Sequence, residues 1–114
     1  MSTNKEIWYQ NEQLVKDFYE KKGFTCLYSN FTIRWGELDL IVQKGKNLVI
    51  VEVKTVNAVE ELDGYITPRK IQAMERTLET YLQKYDFDYD EVSFDVVFVK
   101  DGKILEQYEN VTNS

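Results

Sequence analysis

The residues whose types and spacing could carry out chemistry are Glu37, Asp39, Glu52 and Lys54. They alternate with apolar residues in two β-branched runs, and every second side chain of a strand points to the same face. Carboxylates grouped with a lysine could hold a hard divalent cation and act on a phosphate. We predict that residues 36–55 form the β-hairpin that positions all four.

A short polar turn containing a glycine separates the two apolar runs, which is typical of antiparallel strands. With Gly45 in the first central position of a type II′ turn, Lys44 pairs with Asn47. Counting outward from that pair places Asp39 directly opposite Glu52.

In the same register, Glu37 lies opposite Lys54. Carboxylates directly opposed on a sheet, roughly 5 Å apart at Cβ, destabilise it unless a cation lies between them. One lysine cannot neutralise three acids, so we predict that Asp39 and Glu52 bind Mg²⁺ or Mn²⁺. Such an ion can activate water and stabilise a phosphoryl transition state. The alternative is a solvated outer face whose mixed charges have no function.

Length and composition predict a single domain over residues 1–114, because 43% hydrophobic content suffices for one core. No apolar segment is long enough for a signal peptide or a membrane span. With one cysteine, Cys26, and no histidine, an internal disulfide and the usual zinc sites are excluded. We therefore expect a cytoplasmic protein with no membrane partner.

The net charge of −6 opposes binding to nucleic acid when taken over the whole chain. The charge is unevenly distributed, however, because residues 1–57 carry a net +1 and residues 58–114 a net −7. The predicted hairpin lies in the less acidic half. Metal bound to its carboxylates would make the surrounding surface locally positive.

Residues 4–22 read as an amphipathic helix that Thr3 caps and Gly23 ends. Glu12 falls about 20° beyond Tyr19 around the helix, so it is the acid of this helix that could reach inward. A flanking position on the polar face is the alternative. The predicted buried stripe comprises Ile7, Trp8, Leu14, Val15, Phe18 and Tyr19.

Residues 24–31 read as the first strand, and Thr67 with Pro68 opens a second helix. Lys70, near the start of that helix, could face the hairpin or the solvent. Residues 92–99 and 104–108 read as the last two strands. Because a helix joins the third and fourth strands, we predict that they are parallel, in a mixed α/β sheet with helices packed on it.

This order of elements resembles the restriction-endonuclease-like core, whose active site is written PD-(D/E)xK. Leu38-Asp39 and Glu52-Val53-Lys54 match that pattern, except that Leu38 stands in place of the proline.

The chain resembles the YraN-like family of bacterial proteins more closely, and that family is similar to archaeal Holliday-junction resolvases. The resemblance runs from about Glu12 to Val99. Its matching positions are Glu12, Gly23, Asn30, residues 36–41 and 51–55, Lys70, Tyr81, Leu82 and residues 94–96.

The resemblance implies a magnesium-dependent endonuclease of PD-(D/E)xK type that acts on DNA, with branched or junction DNA among its substrates. It also implies a two-fold homodimer. Asp39 and Glu52 would bind the metal, Glu12 would support them, and Lys54 would stand beside the scissile phosphate. Further candidate substrate-binding residues are Glu37, Thr55 and Lys70.

Two positions depart from the family pattern, because Val56 and Ser93 stand where the family commonly has arginine. Both replacements remove positive charge that could contact a nucleic-acid backbone. The alternative functions are a non-catalytic nucleic-acid-binding module that retains the fold, and a protein-interaction domain that uses the acidic second half.

Overall fold

The computed structural model describes residues 3–56, 62–85 and 88–112, which form three helices and five strands. The chain follows the predicted order of helix, three strands, helix and two strands, with one short helix added before the second long one. The elements are α1 (Asn4–Lys21), β1 (Thr25–Ile33), β2 (Gly36–Lys44), β3 (Asn47–Thr55), α2 (Leu62–Tyr65), α3 (Pro68–Lys84), β4 (Glu91–Lys100) and β5 (Lys103–Tyr108).

The five strands form one sheet in the order β1-β2-β3-β4-β5. β3 and β4, which α3 connects, are parallel, whereas the other neighbouring strands are antiparallel. The predicted mixed α/β sheet is therefore confirmed. No helix within the described residues has the length and apolar character that a membrane crossing requires.

The hairpin of β2 and β3 has the predicted turn, because Lys44 pairs with Asn47. Gly45 has a φ of 60°, whereas the φ of Lys46 is not positive. This combination is that of a type II′ turn, which matches the right-handed twist of the strands.

The start of α3 also agrees with the sequence, because the Thr67 hydroxyl accepts the Lys70 backbone N–H at 3.2 Å and Pro68 occupies the first turn. Further along, α3 packs closely on the beginning of β2. A Cβ on Gly36 would lie 2.6 Å from the Thr77 hydroxyl oxygen, so only glycine allows this approach.

The two long helices cover opposite faces of the sheet. Val15 and Tyr19 of α1 pack in one apolar cluster with valines of β2, β3 and β4. Met74 and Leu78 of α3 belong to a second cluster on the other face. The central strands β2 and β3 are thus buried on both sides, which suits their aliphatic sequences.

The predicted buried stripe of α1 is wrong at its first two positions, because Ile7 and Trp8 are exposed. Asn11 donates from Nδ2 to the hydroxyl of Thr55, the last residue of β3, at 2.8 Å. The residues before Asn11 therefore extend past the end of that strand, and the sheet formed by the described residues does not cover them.

Candidate active site

The candidate site lies where β2 and β3 separate. Their ladder runs from the hairpin turn to the pair of Leu40 and Val51 and stops there. Beyond it, Oδ2 of Asp39 accepts the backbone N–H of Val53 at 2.8 Å. The aspartate side chain thus takes the place of a ladder bond and holds the end of the hairpin open.

This separation corrects the predicted register at its outer end. The count from the turn predicted direct cross-strand pairs of Asp39 with Glu52 and of Glu37 with Lys54. Neither pair belongs to the ladder, because the strands diverge once Asp39 bonds to the Val53 backbone. The carboxylates nevertheless remain close enough to affect one another electrostatically.

Asp39 is the most strongly perturbed carboxyl of the site, with only 2% of its surface exposed. Its pKa rises from the ordinary 3.8 to about 8, chiefly because burial disfavours the charged form. Repulsion from Glu52 adds to the increase, and smaller contributions come from Glu37 and Glu12. The N–H of Val53 opposes the shift but does not cancel it.

Glu12 reaches inward from α1 and is 1% exposed. Asn30 donates from Nδ2 to Glu12 Oε1 at 2.8 Å, while Glu12 Oε2 has no hydrogen-bond partner within the described part of the chain. Burial raises the pKa of Glu12, the bond from Asn30 lowers it, and the charge of Glu37 raises it further. The structure therefore places Glu12 beside the carboxylates of the hairpin.

Glu52 forms an ion pair with Lys70 of α3. Lys70 Nζ lies 3.6 Å from Glu52 Oε1, and it donates to the Tyr65 hydroxyl at 2.9 Å. The same hydroxyl donates to Glu52 Oε1 at 3.1 Å. Tyr65 and Lys70 together fix one carboxylate oxygen of Glu52.

Lys54 occupies a different place, with Nζ 5.3 Å from the centroid of the Tyr65 ring. Among the described residues, the Lys54 ammonium forms no ion pair with Glu37 or Glu52. Thr55 is bound to α1 through Asn11, as described above. Lys54 is thus, like Lys70, a half-buried cation of the site, while Thr55 has a structural contact.

Three residues contribute to the site without having been assigned a role from the sequence. Asn30 orients Glu12, Asn11 joins α1 to the end of β3, and Tyr65 joins Lys70 to Glu52. Asn30 was among the positions that match the YraN-like family, and its φ of 58° is a conformation that asparagine tolerates. The signal for Tyr65 in the sequence was that it is an aromatic residue in the polar segment before Thr67.

Within residues 3–56, 62–85 and 88–112, no three acidic, cysteine or histidine side chains are grouped so as to hold a metal ion. The predicted donors are the two carboxylates of Asp39 and Glu52, which lie close enough to repel one another. This donor set fits Mg²⁺, which commonly binds one or two protein carboxylates and keeps several waters. The uncompensated charge around Asp39 and the unpartnered Glu12 Oε2 also favour a cation here.

Residues 11–99 match the model of the uncharacterised protein family UPF0102. A UPF0102 protein of Syntrophomonas wolfei is 39% identical over 104 residues, which cover 88% of this chain and 90% of that protein. A UPF0102 protein of Aliarcobacter butzleri is 35% identical, covering 89% of this chain and 91% of that one.

Among solved structures, the chain is similar to an XisH family protein from Nostoc punctiforme. The TM-score is 0.41 and the sequence identity 11%, over 87% of this chain and 98% of that chain. The family match and the relatives agree with each other and with the YraN-like resemblance, and the chain belongs to the UPF0102 family.

Proposed function

We propose that this protein is a metal-dependent endonuclease with a restriction-endonuclease-like core, and that it hydrolyses phosphodiester bonds in DNA. One observation carries the proposal. Asp39 is buried at the open end of a hairpin against Glu52, Glu37 and Glu12, and this arrangement raises its pKa to about 8. Carboxyls perturbed in this way by burial and like charge are typical of functional sites.

Mg²⁺ or Mn²⁺ held by Asp39 and Glu52 would neutralise charge on a phosphate and favour ionisation of water. The protein's own groups keep the two carboxylates in position. Val53 fixes Asp39 through its N–H, and Lys70 with Tyr65 fixes Glu52. Binding a cation would also relieve the carboxylate repulsion that the fold maintains.

Lys54 is the residue assigned to the phosphate. In the hydrolysis, the oxygen of water bonds to phosphorus, one ester P–O bond breaks, and the departing oxygen takes up a proton. The Lys54 ammonium, which makes no ion pair among the described residues, is available to stabilise the added negative charge. Glu12, held through Asn30, would orient water or a ligand at the same site.

The proposed location is the cytoplasm, which suits a chain whose single cysteine, Cys26, is free. DNA is the proposed partner, although the chain lacks the arginines that the family commonly has at Val56 and Ser93. The catalytic end nevertheless has cations on α3 and on β3, namely Arg69, Lys70 and Lys54.

The test is a cleavage assay with Mg²⁺ and with Mn²⁺ on branched, flapped, single-stranded and duplex DNA. We expect cleavage of at least one substrate, and we expect Lys54→Ala to lower the rate about 100-fold. Binding measured with Ca²⁺ should weaken only a few-fold, because Lys54 would act mainly in the transition state.

Lys84→Ala, which removes an exposed lysine at the far end of α3, is the matched control and should cleave as the parent does. The proposal is wrong if none of the four substrates is cleaved with either metal. It is also wrong if Lys54→Ala cleaves as fast as the parent protein.

A further inference from the structure

Both tryptophans of the chain are exposed, and both lie at the end of the sheet that holds Asp39. Trp35 is 63% exposed and Trp8 is 36% exposed, while Tyr9 beside Trp8 is 57% exposed. Large aromatic side chains contribute most when they are covered, so their exposure on a small domain commonly marks a binding surface. The core described above does not use these side chains.

The positions of the two indoles follow from the elements that carry them. Trp35 lies in the turn between β1 and β2, four residues before Asp39. Trp8 lies one helical turn before Glu12, and residues four apart share a helix face. Glu12 points into the candidate site, so Trp8 lies on the same side of α1, one turn nearer the start of the helix.

A cation lies beside one of the indoles, although the neighbouring site is itself rich in carboxylates. The Arg34 guanidinium lies 4.8 Å from the centroid of the Trp35 ring. The three arginines of the chain are Arg34 in this turn, Arg69 in the first turn of α3 and Arg76 at the middle of α3.

The opposite end of the sheet carries charges of both signs. The acidic segment, residues 88–91, contributes three acids there, and Lys46 forms an ion pair with Asp88 at 3.2 Å. The carbonyl of Asp88 accepts a hydrogen bond from Gln43, and the N–H of Asp90 donates to the Lys46 carbonyl beside the β2–β3 turn. The acidic segment is therefore held at the end of the sheet away from the indoles.

We propose that unpaired bases of a nucleic acid stack on Trp35 and Trp8. The substrate of the proposed nuclease would then be single-stranded DNA or DNA with a single-stranded segment, and this substrate assignment rests on the proposed function. Stacking suits a chain with a net negative charge, since every base presents a π-face and each stacked base changes affinity by about 5-fold to 150-fold.

The test is a fluorescence titration in EDTA, which prevents metal-dependent cleavage and uses the two exposed tryptophans as reporters. The ligands are an oligothymidylate of about twelve nucleotides, an abasic oligonucleotide of the same length, and a duplex. We expect the oligothymidylate to quench the indole emission. We expect its affinity to be at least about fivefold higher than that of the abasic strand or the duplex. The abasic strand isolates stacking, because it retains the phosphates and lacks the bases.

Variants locate the effect. Trp35→Ala should weaken oligothymidylate binding about fivefold or more and leave abasic binding unchanged, while Trp35→Phe should retain most of the affinity. Tyr89→Ala, which removes an exposed aromatic ring in the acidic segment, is the matched control and should bind as the parent does.

Equal affinity for the oligothymidylate and the abasic strand would overturn the stacking site. A second result would also overturn the stacking site. If Trp35→Ala left oligothymidylate binding intact and converted a dimer to a monomer in light scattering, the indoles would contact a second copy of the chain. Base-dependent binding without cleavage of any DNA would leave the stacking site and remove the nuclease. Cleavage without base-dependent binding would leave the nuclease and remove the stacking site.

Discussion

Asp39 in β2 and Asp95 in β4 are both buried aspartates, and they lie on either side of β3. Both oxygens of Asp95 accept hydrogen bonds, from the Tyr19 hydroxyl at 2.6 Å and from the Asn110 backbone N–H at 2.9 Å. Asp39 accepts one bond from Val53 and is repelled by the neighbouring carboxylates. The fold therefore satisfies one carboxylate and leaves the other uncompensated.

The surroundings explain this difference. The pKa of Asp95 is also raised, chiefly by burial, but the bonds from Tyr19 and Asn110 offset part of the increase. Burial and Asp95 together raise the pKa of Tyr19, so its hydroxyl stays protonated and continues to donate. Asp95 borders a cavity of about 840 Å³ at the end of the sheet opposite the candidate site. We interpret Asp95 as a structural residue and Asp39 as a functional one, because a stable fold has no need of an uncompensated buried carboxylate.

The largest expected effect on stability follows from Asp95→Ala. Removing this carboxylate leaves the Tyr19 hydroxyl and the Asn110 N–H without their acceptor, and we expect the free energy of unfolding to fall by about 2 to 4 kcal/mol. Urea denaturation at neutral pH measures it. A loss below about 0.5 kcal/mol would show that the hydrogen bonds of Asp95 do not stabilise the fold.

The second prediction has the opposite sign and concerns Asp39→Asn. The folded protein holds the Asp39 proton with a pKa of about 8, whereas the unfolded chain releases it near 3.8. The folded state therefore binds more protons between these values, and its stability falls as pH rises from about 4 to about 8. Asparagine removes this loss, so the metal-free variant should be more stable than the parent by about 1 to 3 kcal/mol near pH 8.

Urea midpoints measured across that pH range, with EDTA present, test the second prediction. The difference between Asp39→Asn and the parent should be largest at the alkaline end and should shrink toward pH 4. A difference that is constant with pH would mean that Asp39 ionises in the folded protein as it does in the unfolded chain.

The smallest effect on stability is expected from Tyr65→Phe. The change removes the hydroxyl between Lys70 and Glu52 and retains the ring beside Phe98. Because these charged partners are only partly buried, stability should fall by less than about 1 kcal/mol. In the cleavage assay, the variant should lose more activity than stability, since Glu52 would be less well oriented. Unchanged cleavage would restrict Tyr65 to a packing role.

Much of this fold could be predicted from local patterns. The glycine turn and β-branched runs identified the hairpin, Thr67 with Pro68 identified the start of α3, and the connection through α3 identified the parallel pair. These features depend on backbone preferences and on the distribution of apolar residues, which a sequence displays directly.

The site was less predictable, because its geometry depends on where regular pairing stops. The bond from Val53 to Asp39 ends the ladder, and no local pattern shows that a side chain will replace a backbone partner. The same limitation applies to Tyr65. Its hydroxyl reaches Glu52 only in the folded chain, and no local pattern in the sequence shows that contact. The exposure of Trp8 was missed because helical periodicity does not show where the sheet beneath the helix ends.

Calorimetric titration with Mn²⁺ tests most directly whether Asp39, and not Asp95, is the carboxylate that the fold holds for a cation. We expect the parent protein to bind Mn²⁺ more tightly as pH rises toward and beyond about 8, since Asp39 must lose its proton to bind. Asp39→Asn should abolish this binding, and Asp95→Asn, if folded by circular dichroism, should retain it. Binding of Mn²⁺ to Asp39→Asn as tight as to the parent would contradict the account.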